Sequence, residues 1–147
     1  MNIRLATAGD IPSLLEIEQE SANASHWSRE KYQEIFSSSS PSRIAIVQNE
    51  VGKTHGFLVA RTLGDEWELE NIAVSPGARR RGIASLLLRE LLRQAKQNKA
   101  SAILLEVRES NLEARSLYRK FGFHESGMRP GYYHSPDESA IIYRLCL

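Results

Sequence analysis

Along this chain the apolar residues recur with two periods, and the places where one period yields to the other mark out the elements. Asn2 to Ala6 reads as a short strand. Thr7 and Asp10 have capping-box spacing, and Pro12 falls in a first turn, where a missing N–H costs little. Leu14, Leu15, Ile17 and Ala22 give the helix that follows one apolar stripe. A second helix is predicted from Ser28, with Trp27 and Tyr32 at hydrophobic-staple positions around that cap. The run Ser37–Ser38–Ser39–Ser40–Pro41 ends it in a polar loop too brief to be a linker. Arg43–Gln48 and Thr54–Arg61 read as strands joined by a turn around Asn49–Lys53. Glu66 to Val74 is a further strand in which Trp67 and Leu69 alternate with Glu66, Glu68 and Glu70. At Asn71 the alternation fails and Ile72–Ala73–Val74 runs apolar, which predicts a bulge. Ser75–Pro76–Gly77 turns the chain. Ile83, Leu86, Leu87, Leu91 and Leu92 then mark a helix from Gly82 to about Lys96. Ala102–Val107 is an apolar strand interrupted by one carboxylate, Glu106. Ser110 and Glu113 form a second capping-box pair, before a stripe of Ala114, Leu117, Tyr118 and Phe121 that Gly122 is placed to stop. Ala140–Leu147 closes the chain as a strand.

Strands first, then a strand–helix–strand–helix unit, predict an α/β (α+β) fold with a mixed central sheet and helices on both faces. The strand–helix–strand crossover predicts that its two strands are parallel neighbours. At 147 residues the length fits a single domain spanning 1–147, large enough to fold without staples. A composition 41% hydrophobic and 25% charged excludes a disordered or collagen-like chain. Nineteen basic against 18 acidic residues leave a net charge of +1, which argues against a general nucleic-acid or membrane binder but leaves a local basic patch open. The one cysteine, Cys146, excludes an internal disulfide framework and reads as a small buried hydrophobe. His26, His55, His124 and His134 lack metal-ligand spacing, so no metal is expected and surface positions are. With no signal peptide and no apolar run of about 18 residues, the expectation is a soluble, cytoplasmic protein.

The most informative stretch is Val74 to Ala84, where a strand end, a basic turn of Arg79–Arg80–Arg81 and a helix start at Gly82 come together. Unpaired N–H groups at a helix start carry partial positive charge, Gly82 lets a phosphate come close, and small Ala84 keeps the next turn open. The pattern describes an anion cradle. The plainer alternative is a solvated basic turn capping an ordinary helix. Walker A spacing is absent.

Arg79-x-x-Gly82-x-Ala84 after a strand resembles the acetyl-CoA pyrophosphate motif of the GNAT N-acetyltransferases, although many members have Gly where this chain has Ala84. Leu105–Asn111 with Ala114, Leu117–Tyr118 and Phe121–Gly122–Phe123 resembles the second half of the same signature. The likeness covers most of the chain and is strongest from Asn71 to Phe123. Within the family, Trp27–Ser28, Asn71–Val74, Leu105–Arg108 and Arg129-x-x-Tyr132–Tyr133 with Ala140–Ile142 are similar to the RimI type, which acetylates the N-terminal α-amine of a ribosomal protein. The resemblance implies the GNAT acyl-CoA N-acyltransferase fold, acetyl-CoA as donor, a protein N-terminus as acceptor, and no direct nucleic-acid or membrane partner. It implies that the main chain of Ile72, Ala73 and Val74 bonds the pantetheine arm. Arg79, Arg80, Arg81, Gly82, Ile83, Ala84 and Ser85 would hold the pyrophosphate, mostly by amides, and Asn111 would meet the pantetheine side. Glu106 would be the base and Tyr118 the acid toward the departing sulfur.

The chemistry supports those residue types. A thioester is attacked by a neutral amine, and an α-amine of pKa ~7.7–8.0 is about a tenth neutral at pH 7, far more than a lysine at ~10.4. The difference favours an N-terminus by on the order of 3–4 kcal/mol. An ordinary glutamate is a weak match for either proton, so a base needs help from its surroundings or a relay water. Alternatives stand beside each role. Glu106 could pair with Arg108 or an arginine of a neighbouring element, Tyr118 could be core packing, and Glu70 could be the base or a solvated face. Tyr132 and Tyr133 could line the acceptor groove or only pack, and Trp27 could shape that groove or act only as a staple. Rival functions are acetylation of a small amine, such as a polyamine or aminoglycoside-like acceptor, and a non-catalytic CoA- or RNA-binding module.

Overall fold

The computed structural model describes residues 2–21, 24–37, 42–134 and 136–147. Its strands are β1 (Asn2–Leu5), β2 (Arg43–Glu50), β3 (Lys53–Leu63), β4 (Glu66–Val74), β5 (Ala102–Arg108), β6 (His124–Tyr133) and β7 (Glu138–Cys146). The helices are α1 (Ile11–Gln19), α2 (Arg29–Ile35), α3 (Ile83–Gln97) and α4 (Leu112–Lys120). One sheet runs β1-β2-β3-β4-β5-β7-β6, antiparallel except for the β4–β5 pair that α3 joins, as the crossover predicts. Ala22 and Ser38 to Pro41, which the sequence assigns to the first stripe and to a loop, lie outside the described residues.

Local chemistry sets the helix ends. The Asp10 carboxylate accepts from Thr7 N–H at 2.8 Å and is clamped by Arg4, which holds it below the usual carboxylate range. Ser28 Oγ accepts from Lys31 N–H, and the Trp27 and Tyr32 rings meet at 5.7 Å. Gly122 takes φ 96°, so that Phe123 N–H reaches Tyr118 C=O and Gly122 N–H reaches Arg119 C=O. One cap differs from expectation. Asn111, not Ser110, caps α4 and accepts from Ala114 N–H, because Glu138 of β7 takes both the N–H and the hydroxyl of Ser110.

Two apolar layers sandwich the sheet. Leu87, Leu88 and Leu91 of α3 and Tyr118 of α4 pack with Leu58, Ile103 and Leu105 on one face. Leu14 and Ile17 of α1 and Tyr32 and Ile35 of α2 cover Val47, Phe57 and Val59 on the other. Strand β6 has no counterpart in the sequence reading: an edge strand paired only to β7, exposed nearly throughout and containing Gly127, Pro130 and Gly131, it leaves no apolar alternation. Cys146 is exposed rather than buried, because β7 ends there.

The bulge in β4 is present. Val59 faces Asn71 but Ala60 faces Leu69, which leaves Glu70 as the extra residue. One added residue flips the phase of the strand. Trp67 and Leu69 therefore join the α3 layer, whereas Ala73 joins the α1–α2 layer. Pairing of β4 with β5 covers only Glu66–Leu69 against Ala102–Leu105. Past the bulge the two parallel strands part, and the sheet opens in its middle.

Candidate active site

Two cavities meet at that opening, one of about 440 Å³ and one of about 680 Å³. Ala24, Ile72, Asn111, Ala114 and Tyr118 line both.

The smaller cavity is walled by Ile72, Ala73 and Val74 of β4, by Arg79, Arg80, Gly82, Ile83, Ala84 and Ser85, and by α4. Ile72–Val74 pair with β3 at Leu58, Phe57 and Gly56, and no β5 residue pairs with them on the other side. Their free main-chain groups can bond an extended amide-bearing ligand as a further strand would. Gly56 lets the start of α3 press onto the sheet, since a Cβ there would meet Ile83 Cγ2 at 2.8 Å. Arg80 and Gly82 take φ 65° and 76°, a left-handed turn that gathers backbone N–H groups at the head of α3. Open space lies where a Gly82 Cβ would point. The three arginines do not act alike. Arg79 and Arg80 line the cavity and Arg79 Nε lies 3.4 Å from Val74 C=O, but Arg81 turns away to Glu50 at 2.7 Å and is no part of the wall. The amides and the two arginines that remain fit a diphosphate, and the open edge fits a pantetheine arm.

The larger cavity is built from side chains of distant elements: Trp27, Glu68, Glu70, Glu106, Arg108, Tyr132, Tyr133 and His134. Glu106 lies 3.0 Å from Nε of Arg129, which reaches it from β6 across the intervening β7. Glu70 is held by Arg43 at 2.7 Å with both side chains largely buried, so it is not a solvated face; the bulge has turned it toward β2. Among the described residues Glu68 alone of the three carboxylates has no close ion-pair partner. Burial, then Glu70 and Glu106, push its carboxyl up, opposed by Arg61 and Arg129. Sequence reasoning gave Arg43 no place in the site, quoted Arg129 only as part of the family likeness, and weighed Glu68 only with Glu66 and Glu70 as an attraction for a polycationic acceptor. For Glu68 a signal existed: it faces Leu104 across the parallel pair, which sets it beside Glu106 two residues further on. Arg108 stacks 4.3 Å from the Tyr133 ring centre and pairs with Glu138, and Arg129 lies 5.4 Å over Tyr132. Trp27 packs on Tyr32 under Lys31.

Tyr118 stands where the cavities join, 4% exposed, beside Phe123 and Tyr143. Burial pushes its hydroxyl up. Asn111 spends its side-chain oxygen on the α4 cap and leaves its amide NH2 at the shared wall. His26, His124 and His134 are exposed and His55 is half-buried. No helix among the described residues is long and apolar enough to cross a membrane.

Comparison with known proteins agrees with this geometry. The model of the acetyltransferase (GNAT) family matches residues 11–123. The ribosomal protein bS18-alanine N-acetyltransferase of Escherichia coli (strain K12) is 36% identical over 141 residues, covering 92% of this chain and 90% of that one. The enzyme of the same description from Haemophilus ducreyi is 34% identical over 141 residues, 94% of each chain. A crystal structure of the corresponding Escherichia coli alanine N-acetyltransferase superposes with a TM-score of 0.89 at 30% identity, covering 99% of this chain and 92% of that one. With a donor cavity formed on an open strand edge and a family match over three quarters of its length, the chain belongs to the GNAT acetyltransferase family and is an N-acetyltransferase whose donor is acetyl-CoA.

Proposed function

We propose that this protein transfers the acetyl group of acetyl-CoA to the N-terminal α-amine of a ribosomal protein in the cytoplasm. The observation that carries the reading is the junction of the two cavities at Tyr118, taken with relatives named for the alanine terminus of bS18. The donor's pantetheine lies along Ile72–Val74 and its diphosphate at Arg79, Arg80 and the amides of Gly82 to Ser85, so that the thioester reaches the junction. The acceptor enters through the larger cavity between Trp27 and the Tyr132–Tyr133 pair.

Glu106, directly or through a water, takes a proton from the acceptor ammonium, and the free amine attacks the thioester carbonyl. The new C–N bond forms, the C–S bond breaks, and Tyr118 gives its proton to the departing sulfur, which leaves as thiol; the second proton that the attacking nitrogen sheds as the amide forms restores the tyrosine hydroxyl. Burial keeps the Tyr118 hydroxyl protonated at neutral pH and makes it a weaker acid than a free phenol, so the transfer depends on the same dry surroundings raising the basicity of the departing thiolate. Transfer is direct: the walls of both cavities hold no cysteine to carry an acetyl group.

One observation favours a second reading. Three carboxylates, Glu68, Glu70 and Glu106, face one cavity, and a polyamine is a polycation. Two of the three are already paired to arginines, which weighs against it. The deciding experiment follows free thiol released from acetyl-CoA with three acceptors: peptides copying ribosomal N-termini, the same peptides α-blocked but carrying lysine, and spermidine. Turnover only with free α-amines is expected. Turnover with spermidine alone would replace the acceptor, and none with any acceptor would leave a CoA-binding module.

A further inference from the structure

Three buried polar groups at the bulge take no part in the transfer chemistry above. Glu18, in the last turn of α1, is 2% exposed, Asn71 is 4% exposed, and Tyr32 of α2 is fully buried. Asn71 Nδ2 donates to Glu18 Oε1 at 2.6 Å and lies 3.3 Å from the Tyr32 hydroxyl. Asn71 Oδ1 accepts from Ser25 N–H at 3.2 Å, and the Ser25 hydroxyl donates to the Glu70 carbonyl at 3.0 Å. The network fixes the amide's orientation. Ser25 N–H can only donate, so it must face the amide oxygen, which turns the NH2 toward Glu18 and Tyr32. Burial, then the Glu18 carboxylate, push the Tyr32 hydroxyl far up, so it remains a hydroxyl throughout the working range.

Packing does not explain Glu18. Its Oε2 is buried with no hydrogen-bond partner among the described residues, a position that an apolar side chain would fill without the loss of hydration. What the carboxyl does there is face the Tyr32 hydroxyl and bond Asn71. That bond reaches the reaction through two short connections. Asn71 stands between Glu70, which the bulge hands to Arg43, and Ile72, the first residue of the donor-binding edge. Ser25, stitched to the bulge twice, follows Ala24, which lines both cavities, and precedes Trp27, which lines the larger.

We propose that Glu18 is a positioning residue of the transfer reaction: by bonding Asn71 it fixes the β4 bulge and the Ala24–Ser28 segment, and so sets the wall that the donor and acceptor cavities share. The inference rests on the acetyl-transfer reading. It acts on the alignment of amine and thioester, and a misplacement of about 1 Å in such an alignment lowers a rate by about 10²-fold.

The test exchanges the two ends of the bond. N71D sets a carboxylate against Glu18 and is expected to lower kcat toward the peptide acceptor by ~10-fold or more while the Kd for free CoA stays within ~3-fold. E18Q/N71D restores the bond with donor and acceptor exchanged, since the new amide at position 18 can donate to the new carboxylate, which still accepts from Ser25. Recovery of most of kcat in the double variant is expected. Wild-type kcat in N71D, a double variant no faster than N71D, or kcat and CoA affinity falling together with melting temperature would each overturn the proposal. Should N71D not fold, E18L removes the bond without adding charge and must lower kcat to the same order; wild-type kcat there would overturn it as well. Hydrogen exchange at the Ser25 amide, read without any acceptor, separates this idea from the function beneath it. A wild-type protein silent with every acceptor ends the transferase reading alone, whereas Ser25 protection unchanged in N71D ends this one.

Discussion

The two cavities that meet at Tyr118 are built in different ways. The donor side is mostly main chain: an unpaired stretch of β4, a left-handed turn and the head of one helix, all within Ile72–Ser85, closed by α4 and by Ser21 and Ala24. The acceptor side is mostly side chain, brought together from β4, β5, β6 and the segment before α2, with two of its three carboxylates held by arginines from β2 and β6. A backbone site depends on conformation, so glycine and a bulge decide it. A side-chain site depends on ion pairs and burial, so charge decides it. Substitutions in the first should therefore act on donor affinity and those in the second on turnover.

The sharpest separation is expected from Glu106→Gln. It should lower kcat by on the order of 10²-fold with the donor's Kd nearly unchanged, since it removes the proton acceptor and leaves the β4 edge intact. Stopped-flow turnover beside calorimetric donor binding measures both, and unchanged kcat from pH 6 to 9 would remove Glu106 as base. Tyr118→Phe tests the junction, where the distinction should blur least if the hydroxyl is only an acid. Turnover should fall by roughly 10-fold or more with donor affinity kept, whereas collapse of affinity would make the hydroxyl a binding group. Gly82→Ala reverses the pattern. A Cβ at φ 76° costs about 1 kcal/mol, so donor affinity should weaken several-fold with kcat at saturation nearly unchanged. The smallest effect is expected from Glu68→Gln, read by thermal melts across pH. The Glu68 carboxyl is raised in the folded protein, so the stability it contributes is present at low pH and lost as pH rises through the folded value. The variant should match wild type near pH 3 and melt higher at pH 8; a wild type that gained stability over the variant with rising pH would reverse the sign.

The same contrast accounts for what could be read from the sequence. The donor side was legible because its causes are local: the broken alternation at Asn71 announces the bulge, and Gly82 after three arginines announces the turn. Even so, position was not destination, for Arg81 goes to Glu50 because the β2–β3 hairpin brings that carboxylate within 2.7 Å. The acceptor side was legible only where the family resemblance marks a residue, at Glu106 and Tyr118 and at Trp27, Glu70, Tyr132 and Tyr133, which line the larger cavity. That Arg129 meets Glu106, or that Arg43 takes Glu70 out of solvent, follows from strand order and register, to which no local spacing points. Strand β6 escaped for a related reason: its pairing is supplied entirely by β7, so its own residues carry no buried face to leave a pattern.

An unpaired strand edge is a hazard in most β proteins, because another chain can pair with it and begin aggregation. Here the edge at Ile72–Val74 lies inside the sheet rather than at its border, walled by the head of α3, by α4 and by the segment around Ala24. Those walls stand where a neighbouring polypeptide would have to carry side chains on both faces. A slender arm with amides places far less there. The fold can therefore wait between turnovers with a sheet left incomplete, and selectivity for its donor doubles as protection against its own kind.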